Sequence, residues 1–152
     1  MPTKTAIKKV AVVTYNRIGD GEFDNGIIER DHIQVFIAQN GHRSKWAATP
    51  GGYEGSEGRE ETRVRMAQRV AKEFNLKDMD HVYVYVGTSG GEEAIKQTQD
   101  ISASKITYVL CDCNWGRKKD LIQNIGNGDA EVIECECGGC HTLAQVVKQL
   151  LN

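Results

Sequence analysis

Five cysteines fall in the last third of the chain, at Cys111, Cys113, Cys135, Cys137 and Cys140, and His141 follows the last of them. Thiolates and imidazoles are the ligands of zinc, and four thiolates also hold an iron–sulfur cluster. Cys137-x-x-Cys140 has the spacing of one half of a zinc or cluster knuckle, and Gly138-Gly139 lets the backbone turn around an ion. Asp112, Glu134 and Glu136 interleave with the cysteines. Carboxylates keep neighbouring thiols protonated, which argues against an activated nucleophile, whereas a divalent cation deprotonates its coordinating thiols outright. The expected ligands are Cys111, Cys113, Cys137 and Cys140, with Cys135 or His141 as substitute, around zinc or an iron–sulfur cluster. Thr142-x-x-Gln145 has the form of a capping box, which would put Cys140 and His141 just ahead of a helix N-terminus. Two other uses compete with metal binding. The thiols suit a redox dithiol. Alternatively, Cys111 and Cys135, which close apolar runs, are small core residues, and the chain is a structural or interaction module.

The tetrapeptide Cys137-Gly138-Gly139-Cys140 after a strand resembles the namesake motif of the CGGC domain, a small metal-binding family. The resemblance covers these four residues and the strand before them, and it implies Cys137 and Cys140 as ligands.

A second candidate site is the turn Gly87-Thr88-Ser89-Gly90-Gly91, between an apolar run and a helical stretch. Backbone amides and hydroxyls in such a turn hold a phosphate or carboxylate. The sequence is neither a Walker A loop nor G-x-G-x-x-G. Ser89-x-x-Glu92 is also a capping box that accounts for the turn with no ligand. Asn16 and Arg17 leave the first apolar run, and Arg17 is a candidate for gripping the same anion. On this alternative the protein binds, or acts on, a nucleotide or phosphorylated metabolite.

Other features carry less. Asp20, Glu22 and Asp24 alternate before Asn25-Gly26, but the glycine falls one place late for a calcium loop and no glutamate closes it. His32 and His42 have no visible partner. No general base is identifiable, so no catalytic step is assigned.

These residues need elements to position them. Residues 8–15, 81–86 and 106–110 are continuous apolar runs of the kind buried on both faces of a parallel sheet. Residues 16–30 are polar and glycine-bearing, and are expected to be a loop. Residues 33–38 alternate, and Asn40-Gly41 leads to 43–48, which predicts a β-hairpin. Residues 49–58 form a glycine-rich loop. Helical periods mark 60–74, 90–100, 114–125 and 142–151, and a short strand is expected at 130–134. In the helix at 90–100 the inner face is Ala94, Ile95, Thr98 and Ile101. Strands alternating with helices predict one α/β domain over 1–152: a three-layer sandwich on a mostly parallel sheet of about six strands, the hairpin at an edge. Consecutive parallel strands are usually neighbours, so the two cysteine groups are expected to meet at the carboxyl edge of the sheet.

Composition sets the outer bounds. At 152 residues, 39% hydrophobic with 16 further glycines, the chain can build a core, and a disordered or collagen-like protein is excluded. A net charge of −2 gives no reason to expect nucleic acid or an anionic membrane. The first apolar run is too short for a signal-peptide core, so a reduced, cytoplasmic protein is expected. The expected partners are a metal ion and a small anionic ligand, with a homo-oligomer left open.

Overall fold

The computed structural model describes residues 7–14, 18, 23, 26–38, 74–86, 91–110, 115–135 and 139–152, with the backbone alone for residues 91, 93, 115 and 139–141. Six strands form one sheet: β1 (Lys8–Thr14), β2 (Gly26–Glu29), β3 (Ile33–Ala38), β4 (His81–Val86), β5 (Ile106–Leu110) and β6 (Glu131–Glu134). Three α-helices are described: α1 (Gly91–Gln97), α2 (Trp115–Ile125) and α3 (Gly139–Leu151). The spatial order of the strands is β2-β3-β1-β4-β5-β6, with every pair parallel except β2–β3.

The β-branched runs make the central strands, and both faces of those strands are covered. Along β1, Ala11 and Val13 enter a core shared with Ala94 and Ile95 of α1 and Ile122 of α2. Val10 and Val12 enter a second core shared with Leu143, Ala144 and Val147 of α3. The result is the expected three-layer sandwich, with α1 and α2 on one face and α3 on the other. Strands β4 and β5 occupy the predicted residues, and Ala94, Ile95, Thr98 and Ile101 are all buried as predicted.

Several boundaries differ from expectation. The stretch 16–30 was expected to be a loop, yet it contains β2. Two isoleucines, Ile27 and Ile28, are too few to show a period, and it is pairing with Phe36 and Val35 of β3 that makes them a strand. Gly26 enters β2 at φ 130°, a conformation that L side chains avoid. The edge hairpin is therefore built from β3 and the strand before it, closed by the Arg30 N–H on the Ile33 carbonyl at 2.9 Å. Residues 43–48, its expected second arm, and all but Phe74 of the expected helix 60–74 lie outside the described residues, as do His42, Asp20, Glu22 and Asp24. Phe74 is described, and its ring meets Phe36 edge-on at 5.4 Å.

Helix α3 starts at Gly139, a turn earlier than the capping-box pattern implies. Cys140, His141 and Thr142 are thus within its first turn, and Thr142 is not the residue ahead of it. The residues 139–141 include no proline, so nothing stops the helix from extending back to the glycines. Among the described residues, no helix is long and apolar enough to cross a membrane.

Candidate functional site at the carboxyl edge of the sheet

Strands β3, β1, β4, β5 and β6 run the same way, so their carboxyl ends share one edge of the sheet. The pairing of β5 with β6 ends at Leu110 opposite Glu134. One residue further, the Cys135 N–H donates to the Leu110 carbonyl at 3.0 Å. Neighbouring strands lie about 4.8 Å apart. Cys111 is covalently next to Leu110, and Cys135 is next to Glu134. Cys113 and Cys137 each follow three residues beyond a paired strand end, a reach of at most about 11 Å. The topology thus starts both cysteine groups from adjoining points. Cys111, Cys113 and Cys137 themselves lie outside the described residues, and of Cys140 and His141 only the helical backbone is described. Among the described residues no group of three or more His, Cys, Asp or Glu is placed to hold a metal ion.

Cys135 is the cysteine whose side chain is described. It is a free thiol, 5% exposed, in the apolar core between the sheet and α3, with Val109, Leu143, Ala144 and Val147 in the same cluster. It occupies the inward position that follows Ile133 in the strand alternation.

Charge at this edge is more balanced than the acidic run suggests. Lys119 of α2 makes an ion pair with Glu134, which commits one of the three carboxylates interleaved with the cysteines. Lys118, on the first turn of α2, is only 7% exposed. Sequence reasoning missed both lysines. The run Arg117-Lys118-Lys119, beginning four residues after Cys113, is the signal, but a charged helix face conceals which member turns inward. Helices following parallel strands run back across the sheet, so the amino ends of α2 and α3 both lie at this edge. Their dipoles favour anions, thiolates included.

The anion-site residues are divided by the description. Asn16, Arg17, Gly87, Thr88, Ser89 and Gly90 lie outside the described residues, and Gly91 is the first residue of α1. Glu92, the far member of the expected capping box, pairs with Lys96 one turn on at 3.4 Å. The strand order does place the chain segments that carry them. β1 sits between β3 and β4, and the chain leaves β1 toward one side and reaches β4 from the other. The carboxyl ends of β1 and β4 therefore flank a topological switch point, the usual ligand crevice of an open α/β sheet. Thr14, the last residue of β1, is fully buried there.

The opposite edge holds a separate polar group. His81 Nε2 and Thr107 Oγ1 are 2.7 Å apart, and the His81 ring lies 4.4 Å from that of Tyr83. Burial lowers the His81 pKa and Lys8 lowers it further, against the pull of Glu131. Burial raises the Tyr83 pKa.

Comparison of the chain with protein-family models, with curated proteins and with solved structures returns no match.

Proposed function

We propose that the protein binds a metal ion, zinc or the iron of an iron–sulfur cluster, through Cys111, Cys113, Cys137 and Cys140. The observation that carries this reading is the parallel β5–β6 pairing ending at Leu110 and Glu134, which starts the two cysteine groups from neighbouring strand ends. The burial of Cys135 supports it further: one of five thiols is in the apolar core, leaving four, the number a tetrahedral thiolate site takes. His141 stays as substitute. Reduced thiols are kept available in the cytoplasm, the compartment this reading implies. Anaerobic purification without chelator, followed by elemental analysis, is the test. The expected result is about one zinc per chain, or iron with matching sulfide, lost in Cys137→Ser and Cys113→Ser. Less than about 0.2 metal equivalents on a folded chain overturns it.

A second reading rests on the switch point between β1 and β4. There the protein binds a small anion, a nucleotide or phosphorylated metabolite, using Asn16, Arg17 and the turn from Gly87 to Gly91. A thermal-shift screen tests it. A concentration-dependent rise in Tm that Arg17→Ala abolishes supports this reading, and a flat screen overturns it.

A further inference from the structure

We propose that Asn127 is a site of spontaneous covalent modification, and that its deamidation unlatches the turn before β6 from the end of α1. Asn127 and Gly128 are adjacent in that turn, between α2 and β6. In an Asn-Gly pair the glycine backbone nitrogen attacks the asparagine Cγ. The new N–Cγ bond closes a cyclic succinimide, the Cγ–Nδ2 bond breaks, and the amide nitrogen leaves as ammonia with the proton from the attacking nitrogen. Water then adds to one of the two imide carbonyls and opens the ring. The product is aspartate, or isoaspartate when the main chain now runs through the side-chain carbons. Water is the only co-reactant. Glycine favours the reaction because no Cβ shields the attacking nitrogen. Residues 126–128 are half-buried and Asp129 is exposed, so water reaches this turn.

The amide that deamidation removes is the one that holds the turn in place. Asn127 Nδ2 donates to the Thr98 carbonyl at 3.2 Å and to the Ile101 carbonyl, both just beyond α1. The Asn127 backbone N–H donates to the Tyr108 hydroxyl of β5, and its carbonyl accepts from the Ala130 N–H at 3.0 Å. One residue thus ties the end of α1 and strand β5 to the turn that leads into β6. An ionised carboxylate in its place has no donor, and sets its charge against two carbonyl oxygens. Both carbonyls then lose a partner. Isoaspartate also lengthens the main chain by one methylene and displaces the turn beyond it. Either product breaks the tie, and neither reverts by itself, so the change runs one way.

Incubation of the full chain in mildly alkaline buffer, followed by peptide mapping with mass spectrometry, tests this. The mapping separates Asn127 from the two other Asn-Gly pairs, Asn25-Gly26 and Asn40-Gly41. Aspartate and isoaspartate are expected to accumulate at residue 127, and Gly128→Ala should slow their formation by roughly tenfold or more. A Cβ at 128 would come within 2.6 Å of Gln123 Oε1, the end of a flexible side chain. Gln123→Ala/Gly128→Ala therefore repeats the measurement if the single variant does not fold. The converted chain, isolated by its added negative charge, and Asn127→Asp should both exchange the amides of residues 98–101 at least about tenfold faster than the fresh chain, with the centre of β1 changing by less than about threefold. In urea the folded-to-unfolded ratio of both should fall by roughly tenfold. If residue 127 stays an amide while a free peptide of residues 123–132 converts, the modification site is wrong. If it converts and exchange at 98–101 is unchanged, the latch is wrong.

Discussion

Cys135 is a thiol that packs in the core, and the proposed ligands are the other four cysteines. A hydroxyl in its place would enter the apolar core beneath α3, so Cys135→Ser should cost about 1–3 kcal/mol while leaving metal content unchanged. Cys135→Ala, which buries no polar atom, should cost less. Urea denaturation read beside elemental analysis checks both, and a loss of metal in folded Cys135→Ala would return Cys135 to the ligand set. A buried polar knot lies on the opposite face of the sheet from Cys135. Thr98 Oγ1 lies 2.9 Å from the Tyr108 hydroxyl and donates back to the Ala94 or Ile95 carbonyl at 3.0 or 3.1 Å. Burial raises the Tyr108 pKa, with the Thr98 hydroxyl and the Asn127 backbone N–H opposing that shift. Gly126 closes over this knot. A Cβ there would collide with Ile95 Cγ2 and lie 3.2 Å from the Ile122 carbonyl, so Gly126→Ala should lower stability by about 1–3 kcal/mol. The helical period in the sequence ends at residue 125 and gives no reason for a glycine at 126. The close approach of α1 that makes it necessary is a tertiary fact.

At the scale of elements, the partial burial of His81 at the start of β4, with Lys8 adding to it, makes stability depend on pH. The folded chain holds His81 below its ordinary pKa of about 6.5, so below that pH the unfolded chain binds more protons than the folded one. Stability from this group is complete above about pH 6.5 and declines as pH falls through that value toward the folded pKa. His81→Gln removes the titration and can keep the contact with Thr107. Between about pH 7.5 and 5.5 the wild type should therefore lose more stability than the variant in urea titrations. Equal losses would show that His81 is not responsible. The long apolar strands and the helices that follow them were legible from period and β-branching, because each is buried by its own pattern. Strand β2 was not, because Ile27 and Ile28 carry no period and only β3 defines them. The start of α3 was misplaced because a capping-box pattern recurs inside helices as readily as ahead of them.

For the molecule as a whole, function depends on which strand ends adjoin. Order β2-β3-β1-β4-β5-β6 puts a topological switch point between β1 and β4, and the strand ends that precede the two cysteine groups, along one edge. The β4–β5 step separates them. By itself the sequence determined the class of fold, the central strands, the inner face of α1 and the residue types able to bind metal. These follow from local pattern, since burial on one or both faces writes its period into the chain. Only the tertiary structure decided that Leu110 stands opposite Glu134, that Cys135 is spent on packing, and that Lys119 neutralises Glu134. It also decided that the hairpin uses β2. Each of these depends on a contact between residues distant in sequence, and no local period records who the distant partner will be.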